Sequence, residues 1–461
     1  MIRRATLLLA GAVIGASATG ILVSADIPAR AASDDSTYRE MSLFGDVFER
    51  VRSQYVSPPD EEKMIQDAIN GMLSGLDPHS SYMTAEESDE MRDQSKGEFG
   101  GLGIEVTMED EVVKVVAPID DTPASNAGVL AGDSIVEIDG ESVRGMSLND
   151  AVDRMRGEVG EPIDITIIRD GVAKPIEMTI VRGVIPVQSV KWRIENDNIG
   201  YIRISTFMNE KLDESLNEAI EEIRAEVPDD QLKGYILDLR LNPGGFLNQA
   251  VAVADTFLDE GEVVSTRGRN SSETRRFDAG PGDLTNGKPL IVLVNGGSAS
   301  ASEIVAGALQ DLKRATLVGT RTFGKGSVQT IVPLGVEGSL RLTTALYYTP
   351  SGTSIQGTGI NPDIIVEQVL PEDLEGLIRP EGESALRGHI QGDEETDEGS
   401  GSVAYVPRET EDDVQLKYAI DLLEGKITDA AFPADPEKAV EELQAAKADA
   451  MTQEPEMEDA H

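Results

Sequence analysis

The amino-acid sequence predicts an α/β core, a mixed sheet with flanking helices, preceded by a helical region and a β-rich module. Three observations lead to this prediction. Apolar strands alternate with amphipathic helices over residues 185–370, glycine-rich turns follow several of these strands, and short strands crowd residues 98–184. The length of 461 residues suits about three domains of roughly 150 residues each.

The composition excludes several classes of protein. The chain has 84 acidic and 40 basic residues, so its formal net charge of −44 repels phosphate backbones and makes nucleic acid a poor partner. Cysteine is absent, which removes a thiol nucleophile, a disulfide framework and a thiolate metal site. Only three histidines are present, so a mechanism that needs a histidine base has few candidates.

The first 31 residues have the pattern of an export signal. Arg3 and Arg4 precede an apolar, small-residue run over residues 5–23, and Ala29-Arg30-Ala31 matches a signal-peptidase site. An uncleaved membrane anchor is the alternative, although the glycines in the run weaken it as a stable span. The pattern predicts an exported protein, periplasmic if the source has two membranes.

Residues 36–96 form the predicted helical region. Leu43, Val47 and Val51 recur at helical spacing, and Pro58-Pro59 interrupts the chain before the pattern resumes. His79 follows in an Asp-Pro turn. We expect it to make local hydrogen bonds rather than to catalyse, because no candidate nucleophile is near it in sequence.

Residues 98–184 form the β-rich module. Its one long helix should start at the N-cap Ser147 and stop at Gly157, with Asp150 completing the cap. A glycine-rich turn leads into the first strand, and its backbone N–H groups are suited to hold a terminal carboxylate while the strand edge accepts an extended peptide. Together with the Ala-Gly-Val-Leu-Ala-Gly-Asp run from Ala127, this turn resembles a PDZ domain. The predicted peptide-binding residues are Gly101, Leu102, Gly103 and Ile104.

Three stretches of the α/β region carry the candidate chemistry. Asp238–Gly245 runs from an apolar strand into Pro-Gly-Gly, which suits an oxyanion hole, although an ordinary strand-to-helix turn has the same look. In Asn295–Glu303, serines lie among small residues at the start of a helix. They are either candidate nucleophiles or caps of the helix. Lys325 lies between two glycines beside an apolar strand, where loss of water favours a neutral general base. Gln329 follows Lys325 by four residues, so the two side chains would lie on the same face of a strand, and Gln329 is expected to orient Lys325.

A phosphate-binding loop is rejected for the same stretch. Gly326 stands where that motif needs Ser or Thr to hold magnesium, and Ser327–Val332 is predicted as a strand rather than a helix.

The three motifs, in this order and spacing behind a PDZ module, resemble those of the carboxy-terminal processing peptidases, the Ser/Lys serine proteases of S41 type. The resemblance covers about residues 36–370. It implies Ser300 as nucleophile, Lys325 as general base assisted by Gln329, and oxyanion donors at the Gly244 and Ala301 N–H groups. It also implies that Arg156 links the module to the active site, whereas a solvated charge at a helix end is the simpler interpretation.

The function that follows is an exported endopeptidase that recognises protein C-termini, with a non-catalytic envelope scaffold or adaptor as the alternative. No metal or organic cofactor is implied. An adaptor or activating partner and a homo-oligomer stay open. Residues 371–461 hold 26 acidic and 7 basic residues and are expected to form an acidic linker, solvated over Gly392–Gly401, and a C-terminal extension with helices near 411–425 and 436–448.

Overall fold

The computed structural model describes residues 31–435, apart from 110, 111, 120, 187, 373, 375, 378 and 394–398. The predicted export signal up to residue 30 and the predicted helix near 436–448 lie outside the described residues. The chain separates into an N-terminal unit that ends at Met72 and a larger unit that begins at Leu73. No helix among the described residues combines the length and apolar character needed to span a bilayer.

The N-terminal unit is helical, as predicted. It contains α1 (Ala31–Gln54) and most of α2 (Glu61–Leu73). Arg52 in the last turn of α1 pairs with Glu49 at 2.7 Å and with Glu61 at 3.6 Å, so it joins the end of one helix to the start of the next. Both pairs are exposed and contribute little to stability.

The β-rich module is a PDZ-like sheet closed by helices. Strand β3 lies at one edge, in the order β3-β4-β5-β7-β8, and β6 pairs with β5. The elements are β3 (Ile104–Glu109), β4 (Val112–Pro118), α4 (Pro123–Ala127), β5 (Ser134–Ile138), β6 (Glu141–Ser142), α5 (Leu148–Met155), β7 (Pro162–Ile168) and β8 (Ile176–Val181). The predicted capping box forms at the start of α5, where Ser147 and Asp150 bond each other's backbone N–H groups.

A two-stranded ribbon connects the module to the core. Strands β2 (Glu98–Gly101) and β9 (Gly183–Pro186) pair antiparallel and bring the two ends of the module together. The module is therefore an insertion between α3 (Ala85–Ser95) and the α/β core.

The core sheet has the order β10-β11-β12-β15-β16-β19. Strand β10 runs antiparallel to β11 and the remaining neighbours are parallel. Its elements and helices are β10 (Val190–Glu195), β11 (Ile199–Ile204), α6 (Leu212–Glu226), β12 (Gly234–Asp238), α7 (Leu247–Asp255), β15 (Leu290–Val294), α8 (Ala301–Asp311), β16 (Thr316–Gly319) and β19 (Ile364–Ile365). Strands β12 and β15 are buried at every position, as expected for strands covered on both faces.

A second, antiparallel sheet contains the strand that follows the Lys325 turn. It consists of β1 (Ser81–Met83), β13 (Gly261–Gly268), β14 (Arg275–Ala279), β17 (Ser327–Pro333) and β18 (Ser339–Tyr348). Strand β18 pairs with β1, β13 and β17. Residues just after the N-terminal unit thus share a sheet with the strand that follows Lys325.

The C-terminal extension is part of the folded core, which the sequence analysis did not anticipate. Helix α9 (Val414–Leu423) packs its apolar face on one side of the core sheet. The expectation of a solvated stretch over Gly392–Gly401 is wrong at its described C-terminal end. There, Gly401 donates to the Thr322 carbonyl at 3.0 Å, and Arg321 donates to the Gly399 carbonyl at 2.7 Å.

Candidate active site

Two neighbouring parallel strands deliver the first two motifs to one edge of the core sheet. Strand β12 ends at Asp238 and leads into residues 239–245, while β15 ends at Val294 and leads into residues 295–300. The carboxyl ends of parallel strands lie side by side, so the two loops must meet. A Cβ added at Gly244 would lie only 2.6 Å from the Ala299 carbonyl oxygen, and this close approach requires glycine.

Ser300 occupies a strained turn between β15 and α8. Its φ of 55° and ψ of −112° lie in a region that non-glycine residues rarely adopt, and such strain is concentrated at functional sites. The flanking serines have structural hydrogen bonds, because Ser298 donates to the Leu239 carbonyl at 2.8 Å and Ser302 to the Asn242 carbonyl at 2.9 Å. This division of roles distinguishes Ser300 from its neighbours.

Glu303 is a site residue that the sequence analysis missed. Its carboxylate is fully buried and accepts the N–H of Ser300 at 2.8 Å, of Gly324 at 2.7 Å and of Lys325 at 2.9 Å, together with the hydroxyl of Thr322. Burial raises its pKa to about 7, against the lowering effect of these four donors. One carboxylate therefore ties the nucleophile turn to the base turn. The capping-box spacing Ser-x-x-Glu was the available signal.

Lys325 lies in a mostly buried position beside this carboxylate. Burial is the main reason that its pKa lies below the ordinary value for lysine, and Arg341 lowers it further. Three carboxylates act in the opposite direction: those of Glu383, Glu303 and Asp77. Within the described residues no hydrogen bond joins Lys325 to the Ser300 hydroxyl. Catalytic contacts are often long in enzymes without substrate and shorten in the complex.

Among the described residues, no hydrogen bond joins Gln329 to Lys325. Its amide donates to the Ser327 hydroxyl at 2.9 Å and to the Thr343 hydroxyl at 3.4 Å. The predicted alternation does not extend to Lys325, because the lysine lies in the turn before β17 begins at Ser327. The register against β18 also shifts at Gln329, where Thr344 is the extra residue on β18.

The two expected oxyanion donors differ in their availability. Ala301 is the first residue of α8, where a backbone N–H has no intrahelical acceptor. The Gly244 N–H, in contrast, donates to Asn242 Oδ1 at 2.9 Å in a local turn. The Gly245 N–H has no acceptor among the described residues. The Gly-Gly turn therefore presents a free N–H at Gly245 and an occupied one at Gly244.

The glycine-rich turn of the module is held by backbone contacts. The Leu102 carbonyl accepts the Ala124 N–H and the Gly103 carbonyl accepts the Ile119 N–H, both at 2.9 Å. Gly103 has a φ of 75°, and an added Cβ would lie 2.3 Å from Thr122, so only glycine fits. Strand β3, which starts at Ile104, pairs with β4 alone in its sheet and leaves its other edge available for an added strand.

Arg156 lies at the end of α5, exposed, with its guanidinium 4.9 Å from the centre of the Phe99 ring on β2. It therefore contacts the ribbon that joins the module to the core. A different residue caps the helix: Arg182 is 8% exposed and donates to the carbonyls of Met155 at 3.2 Å and Arg154 at 3.0 Å.

His79 makes one local contact and one that is far from local. Its backbone N–H donates to Asp77 Oδ1 at 2.8 Å, as expected for a turn residue. Its ring Nε2 lies 2.9 Å from both carboxylate oxygens of Glu383, which is 304 positions away in the chain. The expected local bond is therefore present, and the C-terminal extension adds a long-range contact because it folds back onto this turn.

The fold and these motifs match known proteins. The model of peptidase family S41 matches residues 198–366, that of the PDZ domain matches residues 100–180, and that of the activating protease CtpB N-terminal domain matches residues 10–87. A carboxy-terminal-processing protease of Bartonella bacilliformis is 60% identical over 95% of this chain and 100% of its own. The carboxy-terminal processing protease CtpB of Bacillus subtilis is 35% identical over 75% of this chain and 72% of its own.

A solved structure, that of a photosystem II D1 C-terminal processing protease, is 31% identical and covers 73% of this chain and 96% of that one, with a TM-score of 0.42. The sequence relatives show that the chain belongs to the carboxy-terminal processing proteases of family S41, and it is therefore a serine endopeptidase that carries a PDZ domain. This confirms the resemblance and the fold class given above, and it disfavours a non-catalytic scaffold.

Proposed function

We propose that this protease is exported, binds the C-terminal tails of protein substrates through its PDZ module, and cleaves them with Ser300 as nucleophile and Lys325 as general base. The observation that carries the catalytic part is the Glu303 carboxylate, which binds the backbone N–H groups of both residues in a buried site. The strained backbone of Ser300 and the lowered pKa of Lys325 support the same assignment.

The reaction follows from these roles. Ser300 Oγ attacks the scissile carbonyl carbon as its proton passes to neutral Lys325 Nζ. The Ala301 N–H and an N–H of the Gly244-Gly245 turn stabilise the oxyanion. The peptide C–N bond breaks as the Lys325 ammonium returns the proton to the leaving amine. Water then attacks the acyl-enzyme with Lys325 as base, and the proton finally returns to Ser300.

In this proposal, Gln329 contributes indirectly. It orders Ser327 and Thr343, which lie on the paired strands β17 and β18 directly after the Lys325 turn. Its role is thus to hold the start of this strand pair rather than to bind the amine of the lysine.

Substrate recognition in this proposal uses the free edge of β3. An extended tail adds to this strand, and its terminal carboxylate sits on the N–H groups of the turn formed by residues 101–104. The PDZ match and the open edge of β3 support this assignment. An adaptor or activating partner and self-association fit the proposal without being required by it.

Export is supported by the signal-like first 31 residues. The measurement is the N-terminal residue of the protein purified from the envelope of its source. A terminus just after Ala31 is expected, whereas a chain that keeps Met1 or Ile2 in the membrane fraction favours the anchor.

Two substitutions test the catalytic assignment. Ser300→Ala should abolish cleavage of a protein with a C-terminal tail while binding of that tail persists, and Lys325→Arg should lower turnover by about 10³-fold or more, since arginine does not deprotonate in the working range. Cleavage is followed by mass spectrometry of released peptides, and Lys288→Arg, at a half-buried lysine, is the matched control. Undiminished cleavage by Ser300→Ala, or near-normal turnover by Lys325→Arg, contradicts the assignment.

A further inference from the structure

The C-terminal extension crosses the turn that carries Lys325. The Glu383 N–H donates to the Phe323 carbonyl at 2.9 Å, just before Lys325 in the chain. A Cβ added at Gly324 would lie 2.6 Å from the Cβ of Ser400, so a second segment of the extension lies against the same turn. The S41 match ends at residue 366, before either segment.

The side chain of Glu383 makes a second connection to this turn. Its carboxylate is fully buried and accepts the amide N–H of Gln356 at 3.0 Å. The side-chain amide oxygen Oε1 of Gln356 in turn accepts the Gly326 N–H at 3.0 Å, directly after Lys325. Glu383 therefore holds the turn on both sides of the lysine, through its own backbone before it and through Gln356 after it.

His79 closes the cluster from the other end of the chain. Its ring lies 2.9 Å from the Glu383 carboxylate, and its side chain is 16% exposed. A fully buried carboxylate needs such hydrogen bonds to offset its loss of water. Asp77, two residues before His79, also acts electrostatically on Lys325, as do Glu303 and Arg341.

The charge of Glu383 matters for a base that must be neutral. Among the charged groups that act on Lys325, Glu383 has the largest effect, and it raises the pKa of the lysine against the lowering by burial. A general base works best with a pKa near the working pH, because a lysine lowered too far is a weak proton acceptor. The carboxylate thus counteracts the effect of burial and keeps the lysine basic.

We propose that Glu383, in the C-terminal extension, is a positioning residue for the general base, fixing the Lys325 turn and supplying its buried countercharge while His79 and Gln356 hold the carboxylate. The proposal rests on Lys325 acting as the base of the proposed function. It makes the extension a working part of the active site rather than an appended tail.

The test compares full-length Glu383→Gln with the wild type and with Glu381→Gln, an exposed carboxylate two residues earlier on the same segment. The readouts are the pH dependence of kcat on a short peptide and of the rate at which a small fluorophosphonate labels Ser300. Loss of the carboxylate lowers the pKa of Lys325, so the rising limb of both profiles should move to lower pH, by about one unit. The alkaline plateau of kcat should fall by about tenfold as the turn loosens. Glu381→Gln should match the wild type, and Glu383→Asp should move the limb back towards it.

The outcomes separate this inference from the proposed function. If Lys325→Arg is inactive and the rising limb of the Glu383→Gln pH profile lies at lower pH, both the inference and the proposed function are supported. If Lys325→Arg is inactive but the rising limb of a folded Glu383→Gln does not move, the inference is overturned and the proposed function stands. Near-normal turnover of Lys325→Arg overturns both. If Glu383→Gln does not fold, His79→Gln replaces it: a folded variant with wild-type kcat throughout the profile overturns the role of the cluster, and a lowered plateau supports it.

Discussion

The PDZ module and the catalytic core bury different kinds of side chain. The interior of the module is mainly aliphatic, with Ile135, Ile165 and Ile167 at its centre, and in the pair of Asp133 with Arg169 the carboxylate is buried while the Arg169 side chain is 25% exposed. The core buries Arg240 completely, between Asp238 and Asp413 at 2.7 Å each. The interior of the PDZ module is therefore mainly apolar, whereas buried charges support the loops of the catalytic core.

The buried charges of the core connect distant parts of the chain at the loop of residues 239–245. Arg240 precedes the Gly-Gly turn by a few residues, and Asp413 caps α9, so the ion pair fixes the C-terminal helix to the start of that loop. Such a pair is weak evidence of stability in itself, because taking both charges out of water is costly. Removing one partner is nevertheless damaging, since the other charge stays buried alone.

The largest expected effect is on stability. Arg240→Leu leaves Asp238 and Asp413 buried without their cation and should lower the free energy of unfolding by about 3–5 kcal/mol. Trp192, the only tryptophan of the chain, lies on β10 and reports on the core during urea unfolding. Arg169→Leu in the module is the matched variant. Arg169 and Asp133 belong to the module, whose hydrophobic cluster is separate from the one against which Trp192 packs, so the Trp192 transition should stay where it is in the wild type. Equal shifts of that transition in the two variants would remove the contrast between the regions.

The module and the core also differ in how much of each could be predicted from the sequence. The α5 cap, the turn over residues 101–104 and the strand pattern of the module are local features, and each appears in the structure as expected. The three catalytic motifs are also local, and parallel strands bring two of them to one edge.

The residues that support the catalytic motifs are not local. Glu383 and Asp413 stand in an acidic stretch whose composition resembles a solvated tail, and only their partners at His79 and Arg240 give them a buried role. The prediction for Gln329 rests on strand alternation, but Lys325 lies in the turn before β17 begins at Ser327. Long-range pairs and the exact start of a strand leave no periodic signal in one sequence, and for this reason these features escaped prediction.

An intermediate effect is expected on recognition. Gly103→Ala forces a Cβ to 2.3 Å from Thr122 at a positive φ, which should distort the carboxylate turn. A strain of about 1–3 kcal/mol corresponds to a rise in KM of roughly 5- to 150-fold for a tailed substrate, with kcat on a short untailed peptide unchanged. Gly132→Ala is the control, because Gly132 also has a positive φ but has open space around its Cβ position. If Gly132→Ala raises KM as much, general loosening of the module rather than the turn is responsible.

The smallest effect concerns the link between the two regions. Arg156 lies over the Phe99 ring on the ribbon that joins the module to the core, and a cation–π contact of this kind contributes about 0.5–1 kcal/mol at an exposed site. If this contact transmits the state of the module, Arg156→Ala should lower kcat on a short peptide by about two- to fivefold. Arg154→Ala, on the same helix but paired with Glu141, is the control and should leave kcat unchanged.

A module that gates the active site and a module that only tethers substrates differ in which substrates are affected when the contact is lost. A gate requires that one arrangement of the module favours the assembled active site, so its loss must slow even a peptide that never binds the module. A tether only raises the local concentration of tailed substrates. Arg156→Ala, Phe99→Leu and the double variant form a cycle on short-peptide kcat, in which a working contact makes the double variant no slower than the slower single variant. Unchanged short-peptide turnover in Arg156→Ala, beside a raised KM for tailed substrates in Gly103→Ala, would reduce the module to a tether, and the two regions would then communicate through the substrate alone.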